Sequence, residues 1–381
     1  MRIFITGLSL IVAHFLFSQD APKSIDQDLQ SDTLSLLFIG DVMQHGPQIR
    51  SALNPKTKKY EYDSCFKYLK EEMSAADITI ANLEFTLGGE PYSGYPMFSA
   101  PDEAALALKN NGVDILVTAN NHTCDRRKKG TIRTLDMLDS LKIEHTGSFR
   151  NQAEKELLYP MLIEKNGIKL ALLNYTYGTN GMPVDPPTVV NLLKKAEILA
   201  DLQKAKAMKV DKIIVFVHWG SEYKHAPNDY QKFYEKLFFE NGVDIVIGSH
   251  PHVLQPMRLE KADSTQRFIA YSLGNFVSNQ RTAPRDGGAM LKLNLVKENG
   301  KVRMANVGYQ LTWVWLPTQE NRRRYYVLPA SKYEVNKQMM DTWSQTKMKA
   351  FIKNSRTLFD GKNKNVGEYM FEEEKGWVLK Y

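Results

Sequence analysis

The sequence predicts an α/β fold in which parallel strands form the core and hairpins are added to it. Two observations support this prediction. Apolar runs of strand length alternate with helical patterns over residues 34–148, an order that is typical of a largely parallel sheet. Two later segments join strands through Asn166-Gly167 and Asn299-Gly300, and an Asn-Gly pair between apolar runs is a hairpin signal. We therefore expect two sheets with helices outside them.

The individual elements follow from the same patterns. In the first half, apolar runs predict strands over 34–40, 77–84, 113–120 and 143–148. Helical periodicity predicts helices between these strands, over 66–76, 102–112 and 130–142. The second half predicts hairpins over 157–177 and 289–311, further strands over 212–220, 243–251 and 267–276, and helices over 187–209, 228–242 and 333–359.

The N-terminus has the features of an export signal. Arg2 precedes an apolar run that ends at Phe17, and the small residue Ser18 follows. Such a run has the length of a signal-peptide core and is too short to span a membrane comfortably. We expect residues 1–18 to be a signal peptide, or an N-terminal anchor if uncleaved, and residues 19–33 to be a linker. The protein should then be exported to the periplasm or cell envelope.

Composition limits the classes of partner. The net charge of +7 suits an anionic ligand, although solvated lysines are the commoner explanation of such a balance. A short basic cluster occurs near 321–326, without the interleaved aromatic pattern of a nucleic-acid interface, so no nucleic-acid partner is expected. Cys65 and Cys124 are too few for a disulfide framework. Their state is left open, with a slight preference for free thiols.

Polar side chains follow five predicted strands at their carboxyl ends. In a parallel sheet these ends lie at one edge, where open α/β folds bind ligands. Five of the eight histidines fall there. One histidine after a strand is usually structural, whereas five together with carboxylates and amides favour a shared site. In chain order the residues are Asp41, His45, Asn82, Glu84, Asn120, Asn121, His122, His218, His250 and His252.

These side chains form a metal-ligand set. Imidazole, carboxylate and amide oxygen suit Zn, Mn or Fe, and the absence of cysteine ligands argues against a structural zinc site. About seven candidate ligands are too many for one tetrahedral ion, and they fit two ions about 3.5–4 Å apart that share a carboxylate. A histidine that binds no metal could protonate a leaving oxygen. We expect two divalent transition metal ions of open identity.

The motifs "GDVMQH", "ANLE", "NNHTCD", "HWG", "GSHPH" and "YSLGNF" occur in this order within residues 35–280. Together they resemble the CapA family of capsule or poly-γ-glutamate synthesis proteins, which is similar to a branch of the calcineurin-like metallophosphoesterases. The resemblance implies a four-layer α/β/β/α metallophosphoesterase-like sandwich over 34–316. A mainly helical C-terminal extension would occupy 317–381.

The resemblance also implies a role for each residue. Glu84 would bridge the two ions, where the phosphoesterases usually have an aspartate. The ligands of the first ion would be Asp41, His252 and, four residues after Asp41, His45. The ligands of the second ion would be Asn121, His218 and His250. His122 would be the general acid, oriented by Asp125.

Two functions follow from this resemblance. The first is a dimetal-dependent hydrolase that acts on a phosphoester or an anionic polymer in capsule or poly-γ-glutamate synthesis. The alternative is a non-catalytic polymer-binding or export subunit that partners a membrane synthase. In either case only the N-terminus would touch the membrane, if it is uncleaved. Several other residues are undecided between ligand contact and an ordinary surface or turn role: Glu222, Tyr223, Asn275, Arg281 and Arg285.

Overall fold

Two large sheets organise the computed structural model of the chain, which describes residues 32–262, 265–319, 321–335 and 339–381. The predicted signal peptide and the linker up to residue 31 lie outside the described residues. The first strand already includes Asp32 and Thr33, which the sequence reading assigned to the linker. In the part of the chain that the structure describes, no helix is both long and apolar enough to cross a membrane.

The strands are β1 (Asp32–Val42), β2 (Ile78–Leu83), β3 (Ile115–Val117), β4 (Glu144–Thr146), β5 (Ser148–Phe149), β6 (Met161–Lys165), β7 (Ile168–Thr176), β8 (Val189–Val190), β9 (Lys212–His218), β10 (Ile245–Ser249), β11 (Met257–Ala262), β12 (Thr265–Ala270), β13 (Asn275–Val277), β14 (Gly287–Glu298), β15 (Lys301–Trp315), β16 (Thr318–Gln319), β17 (Arg322–Arg323), β18 (Tyr326–Pro329), β19 (Gly367–Glu372) and β20 (Gly376–Lys380). The helices are α1 (Gly46–Ala52), α2 (Lys70–Ala75), α3 (Glu103–Asn110), α4 (Arg127–Ser140), α5 (Gln152–Leu158), α6 (Lys195–Ala207), α7 (Asp229–Glu240), α8 (Ala330–Val335) and α9 (Thr342–Phe359), with a 3₁₀ turn at Asp63–Phe66.

The first sheet has the order β20-β19-β15-β14-β1-β2-β3-β4, with β13 beside β1 and β18 beside β15. Strands β1 to β4 run parallel, and the β14–β15 hairpin joins them antiparallel at β1. The second sheet has the order β11-β12-β10-β9-β7-β6, with a parallel centre and the β6–β7 hairpin at one edge. Both predicted Asn-Gly hairpins are therefore present. Their turn residues all have positive φ, which Asn and Gly adopt readily.

The two sheets and their helices make four layers. Phe38 of β1 meets Phe216 of β9 between the sheets, with ring centroids 6.5 Å apart. Helices α2, α3 and α4 cover the outer face of the first sheet through Met73, Leu108 and Leu138. Helices α6 and α7 cover the outer face of the second sheet through Leu202 and Phe238. The predicted α/β/β/α architecture is confirmed.

Some boundaries differ from the sequence prediction. The sequence predicts a helix over 187–209, but the helix begins only at α6. The preceding residues include β8, which pairs with β5. The predicted C-terminal helix is two helices, and Asp341 starts the second by accepting a hydrogen bond from the Ser344 amide at 2.9 Å. Residues 317–381 also supply β18, β19 and β20 to the first sheet. These strands pair with distant partners, which local periodicity does not reveal.

Candidate metal centre

The carboxyl ends of the parallel strands bring the predicted residues to one place. In the β1–β2 ladder Asp41 lies opposite Asn82, and in the β9–β10 ladder His218 lies opposite Ser249. Parallel strands end at the same edge of each sheet, so the side chains that follow them share one surface. The residues of the predicted site that are at most 3% exposed are Asp41, Asn82, Glu84, Asn120, Asn121, His122, Asp125, His218, His250 and His252.

A bulge in β1 orients Asp41. The pairing register between β1 and β2 shifts between Ile39 and Asp41, around Gly40. A Cβ atom at Gly40 would lie 2.3 Å from the carbonyl oxygen of Gly274, so only glycine fits this close approach. The Asp41 amide then donates to that same carbonyl at 3.0 Å. Bulges of this kind redirect a side chain next to a functional site.

The segment after β10 brings the His250 amide and the His252 imidazole to Asp41. His250 has φ +97° and His252 has φ +56°, a backbone region that costs a side-chain-bearing residue about 1–3 kcal/mol. In return, the His250 amide approaches Asp41 Oδ2 at 3.3 Å and His252 Nδ1 lies 3.1 Å from the same oxygen. The surrounding packing thus stabilises a strained turn that places both histidines beside Asp41.

Glu84 lies at the middle of the centre and has no hydrogen-bond donor. It is fully buried, and neither carboxylate oxygen has a hydrogen-bond partner. His218 Nε2 and His252 Nε2 lie 3.6 and 3.7 Å from its Oε1. Potential ligand atoms of Glu84, His250 and His252 lie within 4.8 Å of one another, as do those of Asp41, Glu84 and His218. Glu84 is the member that the two groups share.

The donor set fits a pair of cations. A buried carboxylate without a donor is costly unless a cation compensates it. His250 Nδ1 is also buried without a hydrogen-bond partner. Burial raises the pKa of Glu84 well above its ordinary value, and the neighbouring Asp41 carboxylate raises it further. Burial lowers the pKa of His218 and of His250 well below the usual range, which favours the neutral imidazole that binds metal ions.

Neighbouring polar groups fix the orientation of these ligands. Asn82 Nδ2 donates to Asp41 Oδ1 at 2.9 Å. His218 Nδ1 lies 2.9 Å from Ser249 Oγ, and Asn275 Oδ1 lies 3.1 Å from His252 Nδ1. Such partners set the tautomer and angle of a ligand. The sequence interpretation gave Ser249 and Asn82 no role in orienting ligands and left Asn275 undecided, because their contacts join strands that are distant in sequence.

The two asparagines after β3 have different surroundings. Asn120 turns inward, where its Nδ2 donates to the Leu83 carbonyl at 2.7 Å and its Oδ1 accepts from the His122 amide at 3.0 Å. Asn121 instead directs its Oδ1 toward His218 Nε2, at 2.9 Å. Asn120 therefore supports the turn, and Asn121 faces the candidate ligands.

His122 and Asp125 form a buried pair beside the centre. His122 Nδ1 lies 2.7 Å from Asp125 Oδ2, which also accepts from the Phe98 amide at 2.7 Å. The Phe98 ring packs edge-on against His122, with centroids 4.5 Å apart. Burial raises the pKa of Asp125, while the hydrogen bond from His122 opposes that shift. The pair leaves His122 Nε2 as the ring nitrogen that is available to a ligand.

His45 is placed differently from the other predicted ligands. It belongs to neither group of converging ligand atoms. Its Nδ1 lies 3.2 Å from Gln48 Oε1 and accepts from the Asn279 amide at 3.3 Å. Burial lowers the pKa of His45 to about 4, and the nearby His252 and His122 add to that effect. His45 therefore lies beside the centre with only its Nε2 free.

Two tyrosines border the centre on its open side. The ring of Tyr177, which follows β7, lies 4.5 Å from that of His250. The ring of Tyr223 lies 6.1 Å from that of His252 and carries the Arg285 guanidinium over it at 4.5 Å. Both tyrosines are partly exposed, by 38% and 43%. The sequence interpretation left Tyr223 and Arg285 undecided and did not identify Tyr177, whose only signal is its place after a strand.

Comparisons with known proteins identify the family of this chain. The family model described as "Bacterial capsule synthesis protein PGA_cap" matches residues 35–280. The capsule biosynthesis protein CapA of Bacillus anthracis is 28% identical over 289 residues, which cover 71% of this chain and 66% of that protein. The PGA biosynthesis protein CapA of Bacillus subtilis is 28% identical over 311 residues, or 76% of this chain and 74% of that protein.

Among solved structures, the calcineurin-like phosphoesterase YfkN from Bacillus subtilis matches 86% of this chain and 99% of its own, with 14% identity and a TM-score of 0.40. The family match extends over more than half of the chain and includes every residue of the centre described above. The chain therefore belongs to the family of bacterial capsule synthesis proteins, PGA_cap, as its motifs predicted.

Proposed function

We propose that this chain is a metal-dependent hydrolase that acts on a phosphoester or an anionic polymer during capsule or poly-γ-glutamate synthesis. The observation that carries the proposal is Glu84. Its fully buried carboxylate has no hydrogen-bond donor and lies among the potential ligand atoms of Asp41 and three histidines. A buried carboxylate with no donor to either oxygen is unfavourable in a purely structural role, and bound cations would compensate it.

Two divalent ions, of Mn, Zn or Fe, would be held by this chain's own side chains. Glu84 would bridge them, and the remaining ligands would be Asp41, Asn121, His218, His250 and His252. When bound, such a pair makes water a better nucleophile near neutral pH and withdraws charge from the oxygens of a phosphorus or carbonyl centre. Asn82, Ser249 and Asn275 hold the ligands in register through the hydrogen bonds described above.

His122 would supply the proton for the leaving oxygen. Asp125 accepts from Nδ1–H, so the proton that can be transferred resides on Nε2. By accepting this hydrogen bond, the Asp125 carboxylate also fixes the orientation of the imidazole ring. The Phe98 ring and its backbone amide hold both members of the pair in place.

We further propose that the protein acts at the cell envelope and cooperates there with membrane synthase subunits. This part rests on the predicted signal peptide and on the capsule-related names of its relatives. Fractionation of cells that produce the chain would test it, with mature protein expected outside the cytoplasm. A full-length chain found only in the cytoplasm would contradict export.

The decisive experiment pairs metal analysis with turnover. Protein purified from the periplasm should contain close to two equivalents of transition metal and should hydrolyse a generic aryl phosphodiester. The matched inactive control is Glu84→Gln, which keeps the shape of the side chain and removes its charge. Bound metal without turnover, combined with binding of a capsule polymer, would instead favour the alternative of a polymer-binding subunit.

A further inference from the structure

We propose that a basic pocket beside the metal centre binds the anionic groups of an extended polyanion. The pocket has a volume of about 450 Å³ and is lined by Arg50 of α1, by Arg322 and Arg323 of the short β16–β17 hairpin, and by Asn279 and Tyr325. Its ligand class is a chain of regularly spaced carboxylates or phosphates. The proposal depends on the proposed function only for what happens at the metal centre.

The guanidinium groups of this pocket lack acidic partners within the described residues. Arg322 Nη1 donates to the carbonyl of Leu53 at 2.7 Å. No described residue forms an ion pair with the side chain of Arg50, Arg322 or Arg323. Other arginines do pair with carboxylates, namely Arg127, Arg133, Arg150, Arg258, Arg303 and Arg356. Three convergent guanidinium groups without carboxylates suit a bound oxyanion, since the planar fork of arginine matches carboxylate and phosphate geometry.

A further arginine adds positive charge behind the pocket. Arg281 is largely buried, its Nη2 donates to the Val314 carbonyl at 2.6 Å, and its Nη1 is buried without a partner. The Tyr325 hydroxyl donates to Asn279 Oδ1. Burial raises the pKa of that hydroxyl to about 12, while the charges of Arg281 and Arg323 act in the opposite direction. Arg50, Arg322 and Arg323 line the same pocket, so their positive charges are close together, whereas the charge of Arg281 behind them is partly offset by the nearby Asp286.

The pocket adjoins the metal centre through two residues. The Asn279 amide donates to His45 Nδ1 at 3.3 Å. The Phe98 ring lies between His45 and His122, with ring centroids 5.4 and 4.5 Å away. A polyanion with one unit in the pocket would thus extend past His45 toward the metal centre. A small monoanion carries one charge and cannot occupy the pocket and the metal centre at the same time. The pocket therefore selects for chain length as well as for charge.

The test measures binding, so that it does not depend on turnover. Fluorescently labelled oligomers of γ-linked glutamate and of phosphate are titrated with the full chain in its metal-loaded form, followed by anisotropy at several salt concentrations. The variant combines Arg50→Gln with Arg323→Gln, because both side chains are exposed and have no described side-chain partner. The matched control combines Lys349→Gln with Lys353→Gln. These substitutions remove the same amount of charge from two exposed lysines on α9.

We expect the arginine variant to lose at least about tenfold in affinity, since each charge-assisted hydrogen bond contributes substantially. The slope of log affinity against log salt should fall by about two, one for each cation that no longer neutralises the polymer. The control should bind as the parent does. The oligomer that binds and shows this loss, carboxylate or phosphate, identifies the ligand chemistry. Equal affinity of the arginine variant and the control, or no binding of either oligomer, would overturn the proposal.

A failure of the hydrolase proposal would look different. In that case the aryl phosphodiester would not be hydrolysed by the parent chain, while the arginine variant would still differ from the control in binding. Conversely, the parent chain could hydrolyse the aryl phosphodiester while the arginine variant and the control bind the polymer equally well. That result would contradict the proposed pocket and support the hydrolase.

Discussion

Glu84, at the carboxyl end of the parallel strands, and the aspartates at their amino-terminal end have opposite surroundings. At the amino-terminal end, an aspartate stands directly before each of β2, β3, β9 and β10 and accepts a hydrogen bond from a backbone amide of the neighbouring strand. The pairs are Asp77 with Ser35 at 2.7 Å, Asp114 with Thr79 at 2.8 Å, Asp211 with Lys169 at 2.8 Å and Asp244 with Ile213 at 2.8 Å. At the carboxyl end, Glu84 has no such donor.

This difference separates a structural role from a ligand-binding role for the same kind of side chain. The amino-terminal aspartates are satisfied within the fold, and they fix the register of adjacent parallel strands. Glu84 is more deeply buried than any of them and is satisfied by nothing in the described chain. Glu84 thus combines full burial with the absence of a donor to either carboxylate oxygen, and this combination marks it as a candidate ligand.

The largest expected effect comes from removing the charge at Glu84. If the proposed function holds, Glu84→Gln should lose bound metal and turnover, because a neutral amide cannot compensate the charge of the cations. The same change at the opposite edge, Asp244→Asn, should leave metal content at the parent level. Metal content is measured on both purified variants beside hydrolysis of an aryl phosphodiester.

The comparison also predicts the stability of the metal-free protein. With chelator present, Glu84→Gln should unfold at the same or a higher urea concentration than the parent, since it removes a buried charge that has no partner. Parent-like metal content in Glu84→Gln would break the comparison, because Glu84 would then be an ordinary buried acid.

The next effect separates two histidines of the same edge. His122→Ala should keep the metals and lose about 10²–10⁴-fold in rate, the usual contribution of a general acid. His250→Ala should lose metal, and excess metal should partly restore its rate. The measurement is metal content and turnover for both variants, with complementation of capsule formation in cells.

If excess metal restores the activity of His122→Ala, His122 is a metal ligand and its assignment as the general acid is wrong. Normal complementation together with a parent-like rate in His122→Ala would leave the metal site in place and favour the polymer-binding subunit. His45→Ala is a useful additional variant for comparison. In the parent, His45 Nδ1 already contacts Gln48 and Asn279, which leaves only Nε2 free.

Much of the fold and of the candidate site could be predicted from sequence because both follow local patterns. Alternation of strands and helices places Asp41, Glu84 and the histidines at strand ends, and topology then gathers them. The roles of Asn120 and Asn121 could not be distinguished, since they depend on which side chain meets Leu83 of β2 and which meets His218.

Contacts between distant segments account for what was missed. Phe98 reaches His122 from a long connection without helix or strand. The β19–β20 hairpin joins the first sheet beside β15, so its place depends on pairing and not on periodicity. The basic cluster near 321–326 was visible in the sequence, but its proximity to Arg50 of α1 appears only when the chain is folded.

A smaller effect is expected at the amino-terminal edge. Asp244→Ala removes the acceptor of the Ile213 amide and of Lys212 Nζ, which lie 2.8 and 2.9 Å from the carboxylate. The free energy of unfolding should fall by about 1–3 kcal/mol, the usual result of leaving a buried donor unpaired. Urea denaturation measures it, and metal content should not change. A loss of metal at unchanged stability would reverse the roles of the two edges.

The smallest expected effect is the pH dependence of Asp77. Partial burial alone would raise the pKa of this carboxyl, but the hydrogen bonds from the Ser35 amide and hydroxyl, with the Lys165 charge, hold it below its ordinary value of 3.8. Its folded form thus releases the proton more readily than its unfolded form. The contribution of Asp77 to stability is therefore complete above pH 3.8 and is lost as the pH falls through the lowered value. The more buried Asp244 has the opposite sign, because burial raises its pKa.

Asp77→Asn removes the titration of Asp77 while keeping an oxygen that can accept from Ser35. The difference in unfolding free energy between the parent and Asp77→Asn should be constant from pH 7 to pH 5 and should shrink at lower pH. Urea denaturation of the metal-free proteins across this range isolates the effect, since the histidines of the centre are common to both chains and cancel in the difference. A difference that instead grows as the pH falls would mean that burial dominates at Asp77 as it does at Asp244. The amino-terminal aspartates would then be, like Glu84, carboxyl groups whose charge the fold does not fully compensate.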